Sequence, residues 1–471
     1  MAAAFVAVLR LPFLALAVLL LLAAVSGTAA ESDEDPLFHT IINTDCSPYS
    51  DWMAEGFIYT HFTSNTAGGL TRIVSCDNPD YVYPKIWHPR MRMQFTPDFK
   101  KQTMPNGEED NFVHYNRVIG MEYWLNDQGR DLHPDTVIVM ADADFVLYAP
   151  LHKAFQDRNG ASVVQHGQPA GQIYLIGSQW FKQRGCAEWM REQCGEACGD
   201  NTAEAVDLHY MVGAPLAMTK MDWLKMYPAY TYYTKRFRQS SQGGVDDMFG
   251  YVLAAMHHGL RHKSATEIMI SDPKSIHAEG WHFIDGMTPD GRSLRRANES
   301  RHYRINFHPD GHTAPILHYC QNNEPGHGLE FGSHIRFSKY EWNRAPLGLP
   351  TCDPLPEYRY DNDKLDKIIA NQSIPDMARR HAFMVRWVPS ALYRALQHYQ
   401  AIACGDDELD GTSQQPGAAA TNGGPAPIQQ VNNDAAEVER LSRASRAMGV
   451  KSRGRPLFGT QRQKTVKAEG L

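Results

Sequence analysis

Two aspartates, Asp142 and Asp144, directly follow the apolar, β-branched run Thr136–Met140. In an extended segment, residues two apart point to the same side, so both carboxylates can bind one divalent cation through oxygen. An ion held there would neutralise the charge of a departing diphosphate. The same D-x-D spacing recurs at Asp33–Asp35 and Asp361–Asp363, where polar neighbours indicate solvated surface charge. The alternative role for the first pair is a structural cap or salt bridge.

The elements that must hold this pair alternate along the chain between strands and helices. Strand-like runs are His39–Asn43, Leu70–Ser75 and Thr136–Met140, and helix-like runs are Tyr49–Phe62 and Val118–Leu125. This alternation predicts an α/β domain with a largely parallel sheet. In such sheets, ligands bind beyond the carboxyl ends of the strands, which is where the two aspartates stand.

The N-terminal end of the chain differs in composition from the body. Arg10, the apolar run Leu11–Val25 and the small residues up to Ala30 are typical of a signal peptide. Residues 1–30 therefore predict either a signal peptide cleaved after Ala30 or an uncleaved signal-anchor, since a spanning helix needs about 20 apolar residues. Either form places the body of the protein in the lumen of the secretory pathway.

The body itself divides into a main domain at residues 36–355 and a helical extension at residues 356–404. Within the extension, Pro375–Cys404 predicts a helix with Pro375 in its first turn and a kink at Pro389. Residues 405–471 are rich in Gly, Pro, Ala, Gln and Asn and then become basic, which predicts a disordered tail. The basic part either binds polyanions or is simply solvated.

The composition limits the classes of function. The chain has 471 residues, 43% of them hydrophobic, which is ample for a large packed core. Its formal net charge of −7 provides no basic signature, so the overall balance does not suggest a nucleic-acid partner. Two N-x-S sequons, at Asn298 and Asn371, give weak support for a lumenal glycoprotein.

Eight cysteines fit an oxidising compartment, and their even count allows complete pairing. Three of them, Cys186, Cys194 and Cys198, lie close together in the sequence, and with His209 they admit a zinc site. Their spacing matches no strong zinc pattern, however, and favours a cluster of disulfides.

Several short motifs lie in one order between His39 and Tyr319. They are Thr71-Arg72, Tyr115–Arg117, Met140–Asp144 with Pro150-Leu151, Gly213–Pro215, Asp247–Tyr251 and Leu317–Tyr319. Each motif alone is unspecific, but the ordered set resembles the plant and algal family of hydroxyproline O-arabinosyltransferases and peptidyl-serine α-galactosyltransferases. The resemblance implies a GT-A type of α/β fold and a location in the Golgi or endoplasmic reticulum. It also implies a UDP-sugar donor, Mn²⁺ (or Mg²⁺), and a secreted acceptor protein rich in hydroxyproline or serine.

The resemblance assigns roles to the acidic and histidine positions. It implies that Asp142 and Asp144 form the metal and diphosphate site, and that His318 is a further ligand, for which a neutral imidazole is suited. The alternative for His318 is a core histidine bonded to backbone. Asp247 takes the catalytic position, near the sugar or the acceptor hydroxyl, although the family usually has glutamate there. A pair of acidic residues in the first turn of a helix is the alternative for Asp247 and the favoured reading of Asp246.

The same resemblance implies that Thr71, Arg72, Asn116 and Arg117 contact the nucleotide-sugar donor. Arginine suits phosphate because its planar guanidinium group is always charged, although an ordinary surface salt bridge explains an arginine equally well.

A different class of function is a lumenal protein that keeps this fold and binds a sugar or nucleotide-sugar without turnover.

A disulfide between Cys46 and Cys76 is also expected. Both cysteines match the serine-galactosyltransferase branch of the family, and both lie next to strand-like runs, His39–Asn43 and Leu70–Ser75. Neighbouring strands lie about 4.8 Å apart, which is within the reach of a disulfide.

Overall fold

A computed structural model provides the structure of the chain. It describes residues 37–82, 84–157, 160–174, 202–241, 244–265, 268–275, 279–281, 314–321, 337–339 and 375–405, and the single positions 198, 284, 349, 352 and 355. The predicted signal segment, both sequons, Cys186, Cys194 and the tail beyond Gly405 lie outside the described residues.

The described part of the chain contains helices and strands in alternation. The helices are α1 (Pro48–Thr63), α2 (Tyr115–Asn126), α3 (Ala203–His209), α4 (Lys220–Ser241), α5 (Asp246–His257) and α6 (Pro375–Cys404). The first strands are β1 (Phe38–Asp45), β2 (Gly69–Ser75), β3 (Met91–Thr96), β4 (Lys101–Thr103), β5 (Glu109–Asn111), β6 (Val137–Ala141) and β7 (Phe145–Leu147). The later strands are β8 (Ala170–Ile173), β9 (Val212–Thr219), β10 (Lys263–Ala265), β11 (Met269–Ile270) and β12 (Ile316–His318).

The main sheet has seven strands in the order β10-β8-β9-β6-β1-β2-β3. All neighbours pair in parallel except at β9, which is antiparallel to both β6 and β8. The predicted α/β class with a largely parallel sheet is therefore confirmed. Because β6 and β8 are both antiparallel to β9, they run in the same direction and end at the same edge of the sheet.

The apolar runs in the strands are continuous because both faces of the sheet are covered. On β1, Ile41 packs into a core with α2, α4 and α5, whereas the next residue, Ile42, packs on the opposite face with α1. Strand β6 alternates in the same way, with Ile138 and Met140 on one face and Val139 on the other. This alternation explains why the three strand predictions, made from apolar runs, are confirmed, with β1 and β2 slightly longer than predicted and β6 shifted by one residue.

The C-terminal helix α6 packs against α1, which confirms the predicted helix and places Pro389 inside it. Its residues Phe383, Val388 and Leu392 share a core with Trp52 of α1. Gly56 of α1 allows this close approach, because a Cβ at that position would lie 2.3 Å from Cδ2 of Leu392. Within the described residues, no helix has the length and apolar character needed to cross a membrane.

The disulfides follow the predicted pattern in part. Cys46 and Cys76 are joined, with their Cα atoms 5.4 Å apart, so this prediction is confirmed. Cys352 and Cys404 form a second disulfide, which ties the end of α6 back to the chain. Cys198 is also disulfide-bonded, and no zinc-type cluster at this cysteine occurs within the described ranges. Cys320 is a free thiol, so the complete pairing that the even count allows is not reached.

Glu55 of α1 is a buried carboxyl group far along the chain from the aspartate pair. Only 2% of it is exposed, and its Oε1 accepts a hydrogen bond from Trp87 Nε1 at 2.8 Å. Burial raises the pKa of Glu55 from 4.5 to about 8. The folded protein therefore holds a proton that the unfolded chain releases between these two values, and its stability should fall as pH rises through that window.

Replacing Glu55 with glutamine should remove most of this pH dependence. The glutamine carbonyl still accepts from Trp87, and the cost of ionising a buried carboxyl disappears. We expect the free energy of unfolding to rise by about 2–4 kcal/mol at pH 8 and to change little at pH 5. Denaturant unfolding at both pH values measures the difference, with Glu108→Gln at an exposed position as the matched control. An identical pH profile in Glu55→Gln and the unmodified protein would contradict the prediction.

Candidate active site

The aspartate pair lies at the end of a central strand, as the sequence predicts. Strand β6 ends at Ala141, and a tight turn carries Asp142 and Asp144 before β7 begins. Strand β12 pairs antiparallel with β7, and this register sets His318 opposite Phe145. One ligand atom from each of Asp142, Asp144 and His318 lies within 4.8 Å of the others. The structure thus brings the three proposed metal ligands together.

Asp144 is buried between two basic side chains. Its Oδ2 forms a salt bridge with Lys339 Nζ and lies 3.4 Å from His318 Nε2. Burial alone would raise the pKa of Asp144, but His318 and Lys339 outweigh it and hold that pKa well below the usual range. For His318, burial favours the neutral ring, but Cys320 and Asp144 outweigh it and raise its pKa well above the ordinary value.

These residues fit a hard divalent cation. Two carboxylates and one imidazole are a donor set that Mn²⁺ accepts, and Mg²⁺ shares the preference for carboxylate oxygen. The buried Nδ1 atom of His318 has no hydrogen-bond partner within the described part of the chain, so the backbone-bonded core histidine is not observed. Asp142 and Asp144 also pair with the basic side chains Arg117 and Lys339, so a bound ion would share the two carboxylates with them.

Arg117 connects the aspartate pair to the second half of the domain. It lies in the first turn of α2, where its Nη2 forms a salt bridge with Asp142 and its Nη1 lies 3.4 Å from Asp247 Oδ2. The side chain of Arg117 is only 19% exposed, so an ordinary surface salt bridge does not describe it. Asp247, 2% exposed, stands in the first turn of α5. Arg117 therefore contacts both the candidate catalytic carboxylate, Asp247, and the candidate metal ligand Asp142.

The neighbouring Asp246 has a different partner. It is fully buried, and its Oδ2 accepts a hydrogen bond from Arg238 Nη1 at 3.1 Å. Arg238, on α4, also donates two hydrogen bonds to Asp110, of 2.8 and 2.7 Å, which join the β4–β5 hairpin to α4 and, through Asp246, to α5. Asp246 lies in the first turn of the helix, as the favoured reading expects, but the N-cap position is Val245 and has no side-chain hydrogen bond.

The other proposed donor contacts are occupied by protein partners. Thr71 on β2 is hydrogen-bonded to His39 Nε2 at 2.9 Å. Arg72 is almost completely buried and pairs with Asp51 at 2.5 Å and with Thr44 Oγ1 at 3.0 Å. Among the described residues, no hydrogen bond or ion pair joins either of them to Asp142, Asp144 or His318. Their role as donor contacts stays a prediction.

Asn116, the fourth proposed donor contact, fastens a loop. Its Oδ1 accepts a hydrogen bond from Phe99 N at 2.7 Å, and its Nδ2 donates to Asp98 Oδ1 at 3.1 Å. This arrangement holds the segment before β4 against the start of α2, beside Arg117. A direct contact of Asn116 with a donor stays a prediction.

Two residues beside the site were missed in the sequence. Lys339 pairs with Asp144 across 195 residues, and no local pattern marks it. Tyr174 stands one residue beyond β8, at the sheet edge where β6 also ends. Tyr174 reaches this edge because it directly follows β8, which runs in the same direction as β6. Recognising it required the strand order.

Comparisons with known proteins find transferases among the proteins that are similar to this chain. Peptidyl serine alpha-galactosyltransferase of Arabidopsis thaliana is 25% identical over 237 residues, covering 49% of this chain and 27% of that protein. Hydroxyproline O-arabinosyltransferase 1 of the same plant is 22% identical over 252 residues, covering 51% and 61%. Peptidyl serine alpha-galactosyltransferase of Chlamydomonas reinhardtii is 26% identical over 285 residues, covering 56% and 36%.

The resemblance predicted from the sequence is confirmed. Both branches of the family, the serine galactosyltransferases and the hydroxyproline arabinosyltransferases, contain relatives of this chain. The chain spans less than two thirds of the length of each of these three relatives. No protein-family model matches it.

Solved structures that are similar to the chain include glycosyltransferases. The galactosyltransferase LgtC, solved in complex with donor and acceptor sugar analogs, covers 62% of this chain at 12% identity and a TM-score of 0.36. The bifunctional glycosyltransferase WbbM in its apo form covers 61% at 10% identity and a TM-score of 0.32. TM-scores of this size describe partial overlap of folds and do not locate a substrate or a metal.

Proposed function

We propose that this protein is a metal-dependent glycosyltransferase, which moves a sugar from a UDP-sugar to hydroxyproline or serine of secreted proteins. The observation that carries the proposal is the cluster of Asp142, Asp144 and His318 at the end of a central strand. The names of the relatives support the class of reaction and the two acceptor residues.

The residues of the site would have different roles in the reaction. Asp142, Asp144 and His318 would hold a divalent ion, which would supply positive charge to the departing diphosphate. Lys339 and Arg117 contribute fixed positive charge to the same pocket. Asp247 would stabilise positive charge on the sugar or orient the acceptor hydroxyl, since its carboxylate is buried and held by Arg117.

The proposed location is the lumen of the secretory pathway, in the Golgi or the endoplasmic reticulum. The N-terminal sequence supports it, and the two disulfides Cys46–Cys76 and Cys352–Cys404 suit an oxidising compartment. Acceptor proteins rich in hydroxyproline or serine are secreted through the same compartment, so enzyme and acceptor would meet there.

A screen of UDP-sugars tests the proposal directly. The purified protein is incubated with Mn²⁺ and with UDP-arabinose, UDP-galactose or other UDP-sugars, each with a hydroxyproline-rich or a serine-rich peptide, and UDP release is measured. We expect release with one donor, a further increase with one peptide, and loss in the presence of a chelator. Binding of a UDP-sugar without any release of UDP would instead favour a binding protein, and turnover that resists the chelator would refute the metal role.

A further inference from the structure

Tyr174 lies beside the candidate metal site through the topology of the sheet. It is the residue after β8, and β8 ends at the same edge as β6, which leads into Asp142. Strand β9 stands between β6 and β8, and its residues Val212 and Gly213 pair with the end of β8. The Tyr174 ring is half-buried.

A glycine on β9 sets the position of this ring. A Cβ at Gly213 would lie 2.8 Å from Cγ and 2.9 Å from Cβ of Tyr174, and 3.0 Å from Cε of Met248. Contacts of this length cannot be relieved by turning the far end of a side chain, because the first atoms of Tyr174 are involved. The absence of a side chain at Gly213 therefore allows the Tyr174 ring and the Met248 thioether to pack directly on β9.

Tyr174 and Met248 form an apolar surface beside the acidic residues of the site, which are Asp142 and Asp144 on one side and Asp247 on the other. Met248 follows Asp247 directly, and Tyr174 stands at the sheet edge where β6 leads into Asp142 and Asp144. Burial, and then the charges of Cys320 and of these two aspartates, raise the pKa of its phenol. An aromatic face next to carboxylates suits a sugar ring, because the C–H face packs on the aromatic ring while the hydroxyls bond to the carboxylates. A tyrosine hydroxyl can also donate a hydrogen bond to the sugar.

We propose that Tyr174, held in place by Gly213 and Met248, is the residue against which the transferred sugar of the donor packs, and that it determines which sugar is accepted. The inference rests on the proposed function and adds a specificity-determining residue to it. Tyr174 contributes to the binding of the sugar and not to that of the UDP moiety.

Binding measurements separate these two contributions. Dissociation constants for UDP and for each of several UDP-sugars are measured by calorimetry in the presence of Mn²⁺. The proteins compared are the unmodified protein, Tyr174→Ala, Tyr174→Phe and Gly213→Ala. In Tyr174→Ala we expect the Kd for UDP to change less than about twofold, whereas the Kd for the preferred UDP-sugar rises about 3- to 10-fold and selectivity among sugars is lost.

The other variants test how the ring is positioned. Gly213→Ala keeps the Tyr174 ring but displaces it, so it should lose sugar selectivity in the same way. Tyr174→Phe keeps the aromatic face and should retain most of the selectivity. Tyr123→Ala, a half-buried tyrosine on α2 whose ring contacts Phe99, is the matched control and should change neither constant.

The outcomes distinguish this inference from the proposed function. Equal weakening of UDP and UDP-sugars in Tyr174→Ala, or unchanged sugar selectivity in folded Tyr174→Ala or in folded Gly213→Ala, overturns the role of Tyr174 alone. Failure of the unmodified protein to bind UDP and every UDP-sugar overturns the proposed function and this inference together. If Tyr174→Ala does not fold, Tyr174→Leu preserves bulk without the aromatic face, and the same loss of selectivity is required of it.

Discussion

Asp144→Asn should lower the rate of UDP release by roughly 100- to 1,000-fold, the usual cost of removing one group that stabilises a charged transition state. The substitution removes a charge with almost no change in volume. The carboxylate it removes is buried and lies with Asp142 and His318 in the group that fits a divalent ion. UDP release with the preferred donor, measured across a range of Mn²⁺ concentrations, gives the size of the effect.

Asp142→Asn should behave in the same way, because Asp142 belongs to the same group. A matched control is Asp363→Asn, in a D-x-D sequence with polar surroundings, which should leave the rate within about a factor of two. Melting temperatures confirm that each variant is folded before rates are compared. A near-normal rate in folded Asp144→Asn would rule out the metal site at this position.

Asp247→Asn should reduce turnover roughly 100-fold or more while leaving the affinity for UDP nearly intact. Such a split is expected of a group that acts mainly in the transition state. Asp247 is nearly inaccessible, and its contact with Arg117 Nη1 at 3.4 Å joins it to the aspartate pair. The test compares kcat with the Kd for UDP in the same preparation, so that loss of binding and loss of chemistry are measured separately.

Asp246→Asn is the internal control for this experiment. The adjacent carboxylate pairs with Arg238, so its replacement should lower stability, and the folded fraction should keep its turnover. Equally small effects of both substitutions on turnover would give Asp247 a structural role and would favour a protein that binds without catalysis. The helix begins at these two residues, but their partners lie on different elements, α2 for Asp247 and α4 for Asp246.

The local sequence determined much of the framework of this protein. The runs that become β1, β2 and β6 are apolar at successive positions because both faces of each strand are buried, and such runs are readable without tertiary information. Helix α6 was predicted from its proline at the start and its composition. The position of Asp142 and Asp144 also follows from sequence, because a strand that ends before a polar pair presents that pair at a sheet edge.

The resemblance implied roles for His318, Arg117 and Asp247, but only the tertiary structure shows how side chains so distant in the sequence reach that edge. His318 joins the aspartates because β12 pairs with β7, and Lys339 reaches Asp144 across 195 residues. Arg117 contacts Asp247 across 130 residues because α2 and α5 approach the same end of the sheet. Local propensity depends on neighbours within a few positions, whereas these contacts depend on strand order and on the packing of distant elements. The resemblance implied that Arg72 contacts the donor, which stays a prediction, and only the fold showed that its guanidinium is buried against Asp51.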